Sequence, residues 1–147
     1  MVKKLSLSYP AKITPDLEGF TVSFRDLKNV FSEGETYSEA LFNAQQVIDL
    51  LLEDMLHDGL SIPKPSAKKP NEVLVAVSPE IAVPVMLHQL REDKHYSLMQ
   101  VARSMGVSYQ AYQQIESGKN ITLKSLKRAA AALGVMVEIK LYFPATK

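Results

Sequence analysis

Four carboxylates in the first sixty residues, Asp26, Glu39, Asp49 and Glu53, are of the type that holds Mg²⁺ for nuclease chemistry. Their spacing favours a plainer role. Asp49 and Glu53 are an i, i+4 pair, which puts both on the polar side of an amphipathic helix, where carboxylates are solvated. Of the histidines, His57 falls near the end of that helix, where a cation meets the negative end of the dipole. His88 and His95 lie in the second half, and no two of the three have metal-ligand spacing on one face. No nucleophile constellation is present, so the chain calls for no metal and no cofactor. A different chemistry runs through Ser108-Tyr109-Gln110-Ala111-Tyr112-Gln113-Gln114. A glutamine offers a donor and an acceptor together, the pair that matches adenine N6 and N7 in the major groove.

Those glutamines need a rigid element that presents them. Ser97 to Gly118 supplies one. Ala102 is small and stands four residues before Gly106, where two helices meeting at a tight angle need a missing side chain and then a turn residue tolerant of positive φ. Val101, Met105, Val107, Tyr112 and Ile115 are spaced to fill the core between the two helices. The pattern is a helix-turn-helix, whose second helix enters the major groove. The expected exposed set is Tyr109, Gln110, Gln113 and Gln114, with Gln100 on the preceding helix as a further DNA contact. Ser108 caps the second helix and places its N-terminus near the groove, and Lys119, Asn120 and Lys124 fall where phosphates would lie.

Around this motif the second half is helical. Ser78-Pro79-Glu80 is a helix start, although Pro84 should kink this helix or delay its beginning. Segments Ser97 to Met105, Ser108 to Glu116 and Thr122 to Leu133 follow. Val135, Val137, Ile139, Leu141 and Phe143 then alternate with polar or exposed positions, as a strand requires. The first half has a different pattern. Leu5 to Ile13 and Phe20 to Phe24 predict two antiparallel strands, and Leu27 to Phe31 a short third. Thr36 or Ser38 caps a helix whose apolar positions, Ala40 through Met55, recur at three and four, and Gly59 ends it. Proline-rich Ile62 to Asn71 is an extended connector, and Val73 to Val77 reads as a mostly buried strand.

The 147 residues carry a formal net charge of only +1. That balance conceals a division. Residues 1–60 hold five basic and ten acidic residues, a net of −5, and residues 80–147 hold nine basic and five acidic, a net of +4. Two modules with different partners follow, the second favouring a polyanion. The apolar fraction of 46% is enough for a buried core, which excludes disorder as the main state. With no cysteine, a disulfide-stapled secreted scaffold and a zinc ribbon are excluded and a reducing cytoplasm fits. No apolar run approaches the ~20 residues of a membrane span, so a soluble protein is expected.

Leu90-Arg91-Glu92-Asp93-Lys94, Ser97, Val101-Ala102, Gly106-Val107-Ser108, Ile115-Glu116-Ser117-Gly118 and Leu123 to Val135 resemble the Cro and lambda-repressor type of helix-turn-helix over about 55 residues. The resemblance implies an ion pair between Arg91 on the first helix and Glu116 closing the recognition helix. Leu98 stands where that family has a backbone-touching glutamine, which removes one phosphate contact. Tyr112 replaces a branched aliphatic residue, which suggests an enlarged or partly open core.

The first half resembles the HicB family of antitoxins. Tyr9-Pro10-Ala11, Gly19 to Phe24 followed by Asp26-Leu27, Glu33-Gly34-Glu35-Thr36, Glu39-Ala40, Asn43-Ala44, Asp58-Gly59 and Ile62-Pro63-Lys64-Pro65-Ser66 follow that family's order. Lys28 replaces the usual proline after Asp26-Leu27. The resemblance implies a truncated ribonuclease H-like fold without catalysis, a HicA-type toxin ribonuclease as partner, and a branch that appends a helix-turn-helix.

The expected fold class is therefore α+β: a small antiparallel sheet with one long helix in residues 1–77, and an all-helical helix-turn-helix domain with a terminal strand in residues 78–147. The expected function is that of an antitoxin which neutralises an mRNA-cleaving toxin and represses its own operon by binding operator DNA. The open edge of the terminal strand suggests pairing with a second copy, a homodimer or higher oligomer. The residues that meet the toxin are not identifiable from the sequence. Two other functions fit parts of the pattern: a stand-alone transcriptional regulator whose first half senses a small molecule, and a metal nuclease using Asp26 or Glu39.

Overall fold

A computed structural model describes residues 3–143. They divide into two compact units, 3–79 and Glu80–Phe143.

The first unit is a four-stranded antiparallel sheet carrying one helix. Its strands are β1 (Ser8–Asp16), β2 (Gly19–Phe24), β3 (Phe31–Gly34) and β4 (Val73–Ala76), in spatial order β3-β2-β1-β4, with helix α1 (Tyr37–His57) between β3 and β4 in the chain. The register places Ala11 opposite Phe24, Ile13 opposite Val22 and Tyr9 opposite Val75, so the alternate residues Tyr9, Ala11, Val22, Phe24 and Val75 share one buried face. Helix α1 covers that face with Ala40, Ala44, Ile48 and Leu52, all fully buried. Thr36 is its N-cap, accepting from the Glu39 amide at 3.1 Å, and the Glu39 carboxylate accepts from the Glu35 amide at 3.1 Å. The helix starts so close to β3 that a Cβ on Gly34 would fall 2.4 Å from the Ala40 amide nitrogen, which only glycine allows.

Three strands differ from the sequence expectation. Strand β1 starts at Ser8 and continues through Thr14 and Pro15 to Asp16, which pairs with Gly19, beyond the expected Leu5 to Ile13. The third strand runs from Phe31 to Gly34, beyond the expected Leu27 to Phe31. Asn29 adopts a left-handed backbone (φ 60°) that ends any ladder there, and Leu27 and Val30 turn inward as buried loop residues. Strand β4 is an edge strand with alternating exposure. Val75 is buried but Leu74 is 54% exposed, so it is not the mostly buried strand that its apolar run suggested.

The connector before β4 is tied down by polar groups. Tyr9 donates its hydroxyl to the Pro63 carbonyl at 2.6 Å, and Ser66 donates its amide and hydroxyl to Asp26, each at 2.7 Å. Arg25 binds Glu72 through Nε at 2.9 Å and Nη2 at 3.0 Å, while Glu72 accepts from the Lys69 amide at 2.8 Å. This bidentate pair fixes the last residues of the connector beside β2.

The second unit is built from α2 (Pro79–Asp93), α3 (Leu98–Met105), α4 (Tyr109–Glu116) and α5 (Leu123–Ala132). Helix α2 continues through Pro84, which is buried and simply lacks the amide that would have met the carbonyl of residue 80. Leu87, Val101, Ala102, Met105, Tyr112, Ile115, Ala129 and Leu133 form one core. Tyr112 is fully buried within it, which corrects the partly open core expected from its size. Residues 135–143 form no strand ladder within the chain, contrary to the expected terminal strand. A strand needs a neighbouring edge, and the described residues of this unit are otherwise helical. Met136, Leu141 and Phe143 are consequently almost fully exposed. Among the described residues no helix is long and apolar enough to cross a membrane.

Candidate nucleic-acid interface

Local chemistry fixes the angle between α3 and α4. Ser97 caps α3 by accepting from the Gln100 amide at 3.1 Å, and the Gln100 side-chain oxygen accepts from the Ser97 amide at 2.7 Å, closing a reciprocal box. Gln100 therefore spends its acceptor on the cap and keeps only its NH₂ donors for any other partner. Gly106 ends α3 in the left-handed region (φ 71°), and the Val107 amide returns to the Ala102 carbonyl at 3.0 Å. A Cβ at Gly106 would meet nothing within 4 Å, so glycine is required there for backbone conformation and not for space. Ser108 then caps α4 by accepting from the Ala111 amide at 3.1 Å.

This frame sorts the residues of α4 by face. Tyr112, Ile115 and Glu116 turn inward; Gln110, Gln113 and Gln114 are exposed, and Tyr109 is half-buried. The Gln114 side-chain oxygen accepts from Asn120 Nδ2 at 3.1 Å, and Asn120 holds a left-handed backbone (φ 54°) in the loop after α4. Lys119 is exposed within that loop and Lys124 just beyond it. Lys124 lies in the first turn of α5, at the positive end of the helix dipole, where a cation is disfavoured until an anion approaches. Arg103, exposed in the last turn of α3, and the exposed Lys127 of α5 add cations beyond those expected from the sequence. Leu98 packs partly buried against the core.

Beneath this surface lies a charged cluster. Arg91 grips Glu116 with Nη2 at 2.7 Å from Oε1 and Nε at 2.9 Å from Oε2, and donates Nη1 to the Tyr96 carbonyl at 2.9 Å. His88 joins it, with Nδ1 2.6 Å from Glu116 Oε1 and Nε2 against Glu92. Burial works against ionisation of Glu116, but hydrogen bonds from His88 and Arg91 outweigh it and hold the carboxyl at about 2. The same bond to Glu116 raises His88, against the opposing effect of burial. His88 was not identifiable as a member from its type alone. The available signal was its position, three residues before Arg91 and four before Glu92, which puts it on their helix face. The Tyr112 hydroxyl is buried beside Glu116, yet no acceptor meets it in hydrogen-bonding geometry. Burial and the Glu116 charge push that phenol upward.

The carboxylates of the first unit do not converge. Asp26 serves Ser66, Glu39 serves the α1 cap, and Asp49 accepts from the Ser78 amide at 2.9 Å and from its hydroxyl. Asp49 is thus an anchor for the chain after β4, where a solvated face had been expected. Glu53 is exposed. Among the described residues no three His, Asp or Glu side chains gather as a metal site. His57 sits exposed beside Asp58, 3.3 Å away.

Residues 8–85 match the family described as HicB-like antitoxin of bacterial toxin-antitoxin system, and residues 87–138 match a helix-turn-helix family. The chain is 31% identical to Antitoxin HicB 2 of Photorhabdus laumondii subsp. laumondii over 135 residues, covering 91% of this chain and 96% of that one. It is 27% identical to Antitoxin HicB of Escherichia coli K12 over 130 residues, covering 87% and 94%. The crystal structure of the N-terminal domain of Burkholderia pseudomallei antitoxin HicB matches with 22% identity and a TM-score of 0.42, over 49% of this chain and 99% of that one.

Proposed function

The chain belongs to the HicB-like antitoxin family, and from that premise we propose that it neutralises a HicA-type mRNA-cleaving toxin by direct binding and represses its own operon through α3 and α4. Residues 1–77 hold the toxin and residues 78–147 bind the operator, in the cytoplasm and with no catalytic step. The observation that carries the DNA half is the outward face of α4: Gln110, Gln113 and Gln114 are exposed while Tyr112, Ile115 and Glu116 lock the helix to its neighbours. A rigid helix with exposed amides at its start is what base-edge recognition needs.

Contacts sort into two kinds. Gln110, Gln113, Gln114 and Tyr109 face base edges. Ser108 through its helix N-terminus, Gln100 through its remaining donors, and Lys119, Asn120 and Lys124 meet phosphates. Arg91 and Glu116 act through the fold by holding the end of α4. Two copies pair through residues 135–143, where Met136, Ile139, Leu141 and Phe143 stand exposed in the single chain, and the paired recognition helices meet a palindromic operator.

A gel-shift series tests this sorting. Gln110→Ala should cost roughly 1–3 kcal/mol on the specific site and relax preference at one base position. Lys119→Ala should weaken binding to all sequences alike and reduce the salt slope by about one unit. Identical behaviour of the two variants would refute the assignment.

A further inference from the structure

We propose that the solvent-facing stripe of α1, with Phe42, Gln46 and Leu50 along its centre and Glu39, Glu53 and Asp54 around them, is the docking surface for the toxin, which it takes by the toxin's cationic RNA-binding face. This rests on the antitoxin function above and names the surface that performs it. Residues 42, 46 and 50 recur every four, so they line one side of the helix, opposite the fully buried row of Ala40, Ala44, Ile48 and Leu52. Phe42 is 59% exposed and Leu50 65% exposed, although the helix already has a complete apolar face for its own core. Two large apolar side chains in one solvent stripe add nothing to the stability of the unit and suit a contact that closes over them.

Charge selects the occupant. From Asn29 to Pro63 there are seven acidic residues and no lysine or arginine, and this stretch comprises β3, α1 and the turn after it. An enzyme that cleaves RNA presents Lys and Arg to phosphates, so its substrate face is attracted here, and docking by that face excludes RNA at the same time. The opposite edge of the sheet, at β4, is the wrong sign for such a partner: the connector leading into it carries Lys64, Lys68 and Lys69. The β3 edge, with exposed Phe31 beside Glu33, lies in the acidic stretch and is the competing surface.

The test uses the full chain and its cognate HicA-type toxin, purified separately, with inhibition of RNA cleavage and Kd as readouts. Phe42→Ser with Leu50→Ser should weaken toxin binding by about 30-fold or more, the range of interface hot spots. Glu53→Lys with Asp54→Lys should weaken it in a way that raised salt reduces, because its effect is electrostatic. Gln46→Arg changes only an exposed residue and keeps the helix, so it reports on the surface even if a double variant folds poorly. All three should bind operator DNA as the unsubstituted chain does. Toxin binding within threefold of the unsubstituted chain for Gln46→Arg and both doubles would overturn the proposal, as would loss of binding confined to Phe31→Ser. A full chain that holds no toxin at all would overturn the antitoxin function and this surface together.

Discussion

Glu116 is the residue on which the second unit's electrostatics turn. Its carboxylate is buried at the end of α4, and Arg91 and His88 both hold its charged form. Its carboxyl titrates at about 2 in the fold against an ordinary 4.5, so the stability it contributes is complete above pH 4.5 and is lost as pH falls toward 2. His88 works in the opposite sense. Its folded-state value lies above the ordinary 6.5, so its contribution is complete below pH 6.5 and is lost as pH rises through the raised value. Thermal melts across pH should therefore show the second unit most stable between about pH 4.5 and 6.5. His88→Gln should remove the decline on the alkaline side, and a decline that survives this substitution would assign it to another group. Tyr112 offers a second test. Its ring fills the core, but its hydroxyl is buried without a partner, a situation that costs on the order of 1–3 kcal/mol. Tyr112→Phe should leave the protein equally stable or raise its unfolding free energy by about 1 kcal/mol. A clear loss of stability would mean that the hydroxyl bonds Glu116 after all.

At the scale of elements, four of the five helices carry their own start signal: Thr36 for α1, Ser97 for α3, Ser108 for α4 and Thr122 for α5. These caps are local, since a side chain meets an amide three residues ahead, which is why they were identifiable from composition and spacing. The anchor between α1 and the chain following β4 is not local. Asp49 accepts hydrogen bonds from both the amide and the hydroxyl of Ser78, 29 residues away, and this pair of bonds fixes where the chain leaves the sheet. Asp49→Ala leaves the Ser78 amide without its partner and should cost roughly 1–3 kcal/mol in chemical denaturation of the first unit. Glu53→Ala, on the exposed side of the same helix, should change it by less than about 0.5 kcal/mol. Equal effects would show that Asp49 acts only as one more surface charge.

At the scale of the molecule, the proposed dimer is tested through residues 135–143, where Met136, Leu141 and Phe143 are almost fully exposed. Light scattering should report a dimer at micromolar concentration for the full chain and a monomer after removal of residues 135–147, with operator affinity falling as the second recognition helix is lost; a dimer that persists would place the interface elsewhere. The α+β class, the helix-turn-helix and the family were all readable in the sequence, because periods of two and 3.6, capping residues and the Ala102–Gly106 turn act over a few residues and leave a local trace. Strand placement around Asn29 was not, because its left-handed backbone is one of several conformations its sequence neighbours permit. Nor was the partnership of His88 with Glu116, or of Asp49 with Ser78: each joins groups 28 or 29 residues apart, and only the packed chain brings them within hydrogen-bond reach. Alternation at Val135 to Phe143 marks a strand-forming sequence, but a ladder is a property of two edges, and among the described residues no edge pairs with this segment.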